Sequence, residues 1–236
     1  MPFQPVLHAE WIKIRTLRPL VGVLCAVPLA TAAFSGLTAA GSHGSDPLFS
    51  AFAGVSFGQI AAVAFGATAV SSEFRGGALR LTLSAVPDRR RWFAAKATAI
   101  ALPVLAVGLL TGLLTLVLGE LLLGADGPTW AEGLRGALGC GVYLTLMALL
   151  AAGLAAVLRS GTATLGILIP FLLIASFVIG DLAAGTADLL PDRAGQVVLH
   201  SARDGALGPW TGLAVTALWT AGALLAGARS VRRRDA

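Results

Sequence analysis

Apolar residues in this chain come in long blocks separated by short polar stretches. Six blocks stand out, at 20–40, 52–72, 97–119, 136–157, 162–183 and 207–228. A helix of ~20 apolar residues crosses ~30 Å of hydrocarbon. A helix also pairs its backbone groups within itself, which open strands and loops do not do in lipid. The pattern therefore predicts an all-α polytopic membrane protein with six transmembrane helices in a single transmembrane domain over 1–236. Pro28 and Pro170 interrupt the first and fifth blocks, a kink that membrane helices tolerate. Gly54-x-x-x-Gly58 and Gly108-x-x-x-Gly112 offer close helix contacts, within the chain or at a seam between copies. The first block is longer than the apolar core of a signal peptide, so it is expected to persist as an uncleaved helix.

The polar stretches carry their own patterns. Ahead of the first block, Phe3, Leu7, Trp11 and Ile14 recur at helical spacing, with Lys13, Arg15 and Arg18 among them. This predicts an interfacial helix, an arm over 1–18 that lies on the membrane surface. Between the second and third blocks runs "EFRGGALRLTLSAVPDRRR", residues 73–91. Plotted at 100° per residue, it shows two apolar strips. One is Phe74, Ala78, Leu81 and Ala85; the other is Leu79, Leu83 and Val86. Pro87 ends this helix, and Asp88 is placed to cap the next. A helix apolar on two sides is packed on two sides. One strip is expected to rest on the chain's own span ends. The other, carried by Leu79 and Leu83, is expected to enter a groove on a cytoplasmic partner. After the fifth block, 181–206 holds apolar patches too short to span (Leu189, Leu190, Val197, Val198, Leu199), which predicts re-entrant or surface helices. Residues 229–236 form a basic tail.

Composition sharpens the picture. Of 236 residues, 56% are hydrophobic and 12% charged, against about 25% charged in a soluble domain. Lys and Arg favour the cytoplasmic side. With both termini placed there, all but Arg135, Arg193 and Arg203 of the 17 Lys and Arg fall inside, and eight of the 12 acids fall outside. Dispersed over short loops, the basic residues do not suggest nucleic-acid binding. Ionisable groups at membrane depth mark chemistry, yet the middles of all six blocks lack Asp, Glu, Lys, Arg and His. A proton relay or an intramembrane hydrolase is thereby disfavoured. Cys25 and Cys140 lie inside blocks with no CxxC, and His8, His43 and His200 match no ligand spacing, so no metal or other cofactor is expected in the chain. Its two lysines, Lys13 and Lys96, lie outside any phosphate-cradling G-x-x-x-x-G-K-[ST] loop. If ATP drives this protein, a separate subunit must bind it.

Four features resemble the permease subunits of the type-2 ATP-binding-cassette exporter family. The start is similar to the family's E-x-x-K-x-x-(T/S)-x-R arm, at Glu10, Lys13, Thr16 and Arg18. The segment after the second block resembles its coupling stretch, at Glu73, Gly77, Thr82, Leu83, Pro87, Arg89 and Lys96. The six-helix order agrees. "LLPDRAGQ", Leu189 to Gln196, is similar to an outer loop of many actinobacterial members. The resemblance implies a non-catalytic membrane subunit in a bacterial plasma membrane. It would pair with a second permease, identical or related, and with two ATPase subunits that hold ATP and Mg. The insert would be the coupling helix that docks on the ATPase. Its contact residues would come from Glu73, Phe74, Arg75, Ala78, Leu79, Arg80, Thr82, Leu83, Pro87 and Arg89. Glu73 would face polar or basic residues of the ATPase cleft or of the arm, whose own residues include Glu10, Trp11, Lys13, Arg15 and Arg18. The second and fifth spans would line the path, with Gln59, Phe65, Phe171 and Ser176 as candidates. Competing readings are a stand-alone passive channel or carrier, and a subunit of a membrane-embedded assembly or enzyme.

Overall fold

The computed structural model of the chain describes residues 3–41, 46–124, 127–175, 187–201 and 207–233, the side chains at 174 and 175 excepted. Local signals set the helix boundaries. After α1 (Phe3–Thr16) and α2 (Arg18–Gly41), the Asp46 side chain accepts from Phe49 N and starts the short α3 (Pro47–Phe52). The second apolar block becomes α4 (Val55–Ser71). Gly77, at φ +74°, opens α5 (Ala78–Ala85). Asp88 accepts from Arg90 N and Arg91 N and caps α6 (Arg89–Leu123). A reciprocal Thr129–Glu132 capping box begins α7 (Trp130–Leu158), and Ser160 caps α8 (Gly161–Pro170). Two more helices follow, α9 (Pro191–Gln196) and α10 (Pro209–Arg233). There is no strand among the described residues.

Five of these segments are long and apolar enough to cross a membrane: Arg18–Gly41, Val55–Phe74, Arg89–Leu123, Trp130–Leu158 and Pro209–Arg233. The chain is thus an all-α protein built as multi-pass membrane proteins are. The fifth predicted span begins as α8 and widens into a π turn over Phe171–Ala175, directly after Pro170. The rest of that span lies outside the described residues. At 35 residues, α6 is about 52 Å long at 1.5 Å per residue. That exceeds the hydrocarbon thickness, so its first turns, with Arg89 to Lys96, extend past the span proper.

The helix α7 is the axis of the fold, packing against α4, α6 and α10. It holds all three because small residues let backbones approach. A Cβ on Gly66 would sit 1.9 Å from the Ala148 carbonyl oxygen, and one on Gly153 would sit 2.5 Å from the Ala223 carbonyl carbon. Both sequence GxxxG pairs are used within the chain. Gly54 and Gly58 press on α2 at Thr31, and Gly108 and Gly112 press on α7 at Gly141 and Ala137. Of 181–206, the described part (187–201) is a single short helix, α9, flanked by 3-10 turns and laid on α10 and α7, with Val198 and Leu199 buried.

Close packing at Gly66 predicts a directional effect. Gly66→Ala should cost ~1–3 kcal/mol by forcing α4 from α7. Gly22→Ala, with open space around the site, should be neutral or stabilising by up to ~1 kcal/mol. Thermal unfolding of the purified chain in detergent measures both.

Candidate functional site

Four charged side chains meet at the end of the bundle where α5 lies. Glu10 comes from α1, Glu73 from the 3-10 turn after α4, Lys96 from α6 and Lys13 from α1. The Lys96 ammonium donates to Glu10 Oε2 and Glu73 Oε1, both at 2.7 Å. Lys13 donates to Glu10 Oε1 at 2.8 Å and to Glu73 Oε1 at 3.1 Å. The Trp92 indole N–H adds a bond to Glu10 Oε1 at 3.1 Å. The Thr82 hydroxyl accepts from Lys13 at 3.3 Å and lies 3.4 Å from Glu73 Oε2. Both acids and Lys96 are buried, whereas Lys13 keeps an open edge. The group is neutral as a set, two acids against two lysines. Burying charge is tolerated when each ion is paired and hydrogen-bonded, and here every carboxylate oxygen has a donor or hydroxyl neighbour. Burial alone would lower the Lys13 pKa, but its hydrogen bond to Glu10 and the charges of Glu10 and Glu73 hold it above its ordinary value.

The cluster unites residues from the two stretches that carried the family resemblance. Glu10 and Lys13 belong to the arm; Glu73, Thr82 and Lys96 belong to the insert. The sequence places Lys96 among the cytoplasmic cations and at the end of the coupling-stretch match, without a partner. Its position inside α6, two turns after the Asp88 cap, makes it the partner of both acids. One signal was present: the chain has 15 arginines and two lysines, and both lysines are here. A compact ammonium fits between two carboxylates where a forked guanidinium needs more room.

The sequence prediction for α5 needs a correction. Leu79 is 4% exposed, and Leu83 and Val86 pack on the bundle core. Together with Thr82 they form one i, i+3, i+4, i+7 face, which is turned inward by the ion cluster below it. The strip of Leu79 and Leu83 is therefore not a free surface for a partner. The outward face carries Arg75, Arg80, Leu81, Ser84, Ala85 and Pro87, and Leu81 is 75% exposed. Ala78 is half-buried. Phe74, half-buried, lies beneath the Arg159 guanidinium at 5.5 Å. The Arg89 guanidinium reaches the end of α10, donating to Val231 O at 2.8 Å and Arg232 O at 3.3 Å. In the arm, Trp11 is half-buried, while Arg15 and Arg18 are exposed.

The predicted path residues separate too. Gln59 and Phe65 are buried inside the bundle, Phe65 completely, so neither faces a passage in this arrangement. Phe171 is half-buried, and Ser176 lies outside the described residues. Gln59 instead accepts from the Tyr143 hydroxyl, which accepts in turn from Gln196 Nε2 at 3.2 Å. Ser56 donates to Gln196 Oε1 at 3.0 Å. This chain of bonds ties α9 to α4 and α7 at the end away from α5. Gly195 lets α9 meet the Tyr143 ring, where a Cβ would lie 2.4 Å away. Nearby, Asp46 accepts from Ser201 N at 3.1 Å and lies 3.0 Å from His200 Nδ1, while Arg135 donates to the His200 carbonyl at 2.7 Å. The His200 ring stacks on Phe49 at 4.5 Å. No protein-family model and no curated protein matches the sequence.

Removing Lys96 leaves two buried acids to share Lys13. Lys96→Met should cost ~3–5 kcal/mol. The double variant Glu73→Gln with Lys96→Met should cost less than the summed single losses, by ~0.5–3 kcal/mol of coupling. A double-mutant cycle on detergent unfolding measures it, and additivity would show that the two groups do not share an interaction. A second expectation concerns Asp46. Burial raises its pKa, but bonds from Phe49 and Ser201 and the neighbouring His200 bring it below its ordinary value. A depressed carboxylate contributes stability that is present above its unfolded pKa and lost as pH falls through the folded one. The stability gap between wild type and Asp46→Asn should thus be full at neutral pH and close as pH drops below the ordinary Asp range. Unfolding midpoints across a pH series would reveal it.

Proposed function

We propose that this chain is the membrane-embedded permease subunit of an ATP-driven exporter of amphipathic or lipid-like molecules, with α5 as the helix that docks on a separate ATPase. One observation carries the reading. Glu10 and Lys96, 86 positions apart, and Lys13 and Glu73, 60 apart, converge in one buried cluster. All four are among the residues on which the resemblance to type-2 ATP-binding-cassette permeases rests. The cluster fastens arm, span ends and α5 into one unit and leaves α5 with an exposed face of Arg75, Arg80, Leu81 and Ser84. An exposed leucine ringed by arginines suits a groove with an apolar floor and an acidic rim.

The other parts of the reading follow from this. The chain has no phosphate-cradling loop, so ATP and Mg belong to the partner. The apolar span middles favour an amphipathic substrate over an ion or proton. Both termini, α5 and the cluster lie on the cytoplasmic side of a bacterial plasma membrane, as the distribution of Lys and Arg favours. A second permease, identical or related, completes the path, and two ATPases drive it by pushing on the two α5 helices.

A mild-detergent pull-down of the tagged chain from its host, with mass spectrometry, tests this. An ATPase of the ATP-binding-cassette type should co-purify in about equal amount. Leu81→Asp should release it while the permease still folds. Leu79→Asp should lower the folded yield of the permease itself, since Leu79 points inward. A functional chain that purifies alone would favour a stand-alone carrier.

A further inference from the structure

The arm has a second face that neither the ion cluster nor the proposed docking uses. Val6, Glu10 and Ile14 are the buried side of α1. Gln4, His8, Trp11 and Arg15 follow at i, i+4, i+7 and i+11, a single stripe within about 60° of arc at 100° per residue. Between this stripe and α6 runs a groove of about 710 Å³. Gln4, His8 and Trp11 border it on the arm, and Leu102, Pro103 and Ala106 border it on α6. Leu102 is 52% exposed and Leu110, two turns on along the same face, 66%, so the groove opens toward the hydrocarbon. Its direction is set by neighbouring contacts. Glu10 meets Trp92 and Lys96 near the start of α6, whereas Gln4 and Leu7 reach the level of Leu102 to Ala106. Arg15 does not line the groove itself; one turn beyond Trp11 on the same stripe, it stands just past the groove's surface end, and the apolar floor lies deeper.

Charge decides the occupant. Both oxygens of Glu10 are taken by Lys13, Trp92 and Lys96. Arg15 is exposed and has no acidic partner among the described residues. A cation with an amphipathic Trp at the mouth of an apolar groove matches a ligand with an anionic head and a hydrocarbon tail. We propose that the groove between α1 and α6 holds one anionic phospholipid. Its acyl chain lies against Leu102, Pro103 and Ala106, and its phosphate faces Arg15 beside Trp11. The bound lipid completes the underside of the arm and so steadies the helix that carries Glu10 and Lys13. The assignment is independent of what the protein transports.

The test uses the full-length chain, purified in mild detergent and equilibrated in micelles holding equal amounts of phosphatidylglycerol and phosphatidylcholine. Native mass spectrometry reads the lipid retained. Phosphatidylglycerol should be retained in preference, near one per chain. A cation near an anionic head group is worth about 1 kcal/mol, so Arg15→Gln should reduce the preference about five-fold, and Arg15→Lys should keep it. Arg229→Gln, which removes an exposed cation from the end of α10, should leave the preference unchanged. Ala106→Trp, which fills the floor, should reduce retention of both lipids. Equal retention of the two lipids by the wild type would overturn the proposal. So would an equal effect of Arg229→Gln and Arg15→Gln, which would show diffuse surface charge instead of a site. Matching helical content and unfolding temperatures for the Arg15 variants separate lost binding from lost fold.

Discussion

A neutral knot of two carboxylates and two ammonium groups holds one end of this protein together. Its parts come from three places: the arm, the turn after α4 and the second turn of α6. The three buried groups, Glu10, Glu73 and Lys96, are not stable where they sit without their partners, because an unpaired buried charge is expensive and a paired one is held strongly in low dielectric. The knot therefore acts as an all-or-none condition on local geometry. The arm must lie against α6 for Glu10 to reach Lys96, and the chain must turn after Ser71 for Glu73 to reach the same ammonium. Thr82 then sets α5 over the pair, and Leu79, Leu83 and Val86 close against the bundle.

That arrangement has a mechanical side. Gly76 and Gly77, at φ +61° and +74°, connect the turn to α5 through left-handed backbone that other residues adopt at a cost. A glycine pair is a place where a short helix can swing. Thr82, through Lys13 and Glu73, holds that helix from its other side. A push on the exposed face of α5 would thus be carried to Glu73 and Lys13 instead of being absorbed at the glycines. From them it passes to α1, α4 and α6 together. At the opposite end neutral bonds among Ser56, Gln59, Tyr143 and Gln196 run beside the charged ties of Asp46 to His200 and of Arg135 to the His200 carbonyl.

Much of this was readable from the residues, and the limits have physical reasons. The apolar blocks gave the crossing helices, because lipid leaves a chain few other ways to satisfy its backbone. Pro87 and Asp88 marked the break between α5 and α6. The inward face of α5 was harder. Eight residues make barely two turns, and with both strips apolar nothing decides which of them faces the bundle until Thr82 is known to face Glu73. The pairing role of Lys96 was hidden for a different reason: positive-inside counting treats cations as interchangeable, so such a role leaves no trace in it. Gln59 and Phe65 entered as path candidates through the resemblance, and a helix as apolar as α4 does not by itself reveal which side faces a neighbour. The Asp46–His200 contact joins segments 154 positions apart and has no local signature at all.

The burial of Gln59 and Phe65 bears on where a path can run. The helix α4 meets α7 at Gly66 with backbone against backbone, and α7 meets α6 and α10 at Gly141 and Gly153 in the same manner. Such contacts leave no width for a passage without parting the helices along their length, and close-packed interiors resist that. Among the described residues, a single copy therefore shows no route between α4, α6, α7 and α10. A route along the outside of the bundle is a different matter, since a surface that faces hydrocarbon in one copy becomes a wall when a second copy stands opposite. The same packing that makes one chain a solid body thus makes transport, under the proposed reading, a property of two.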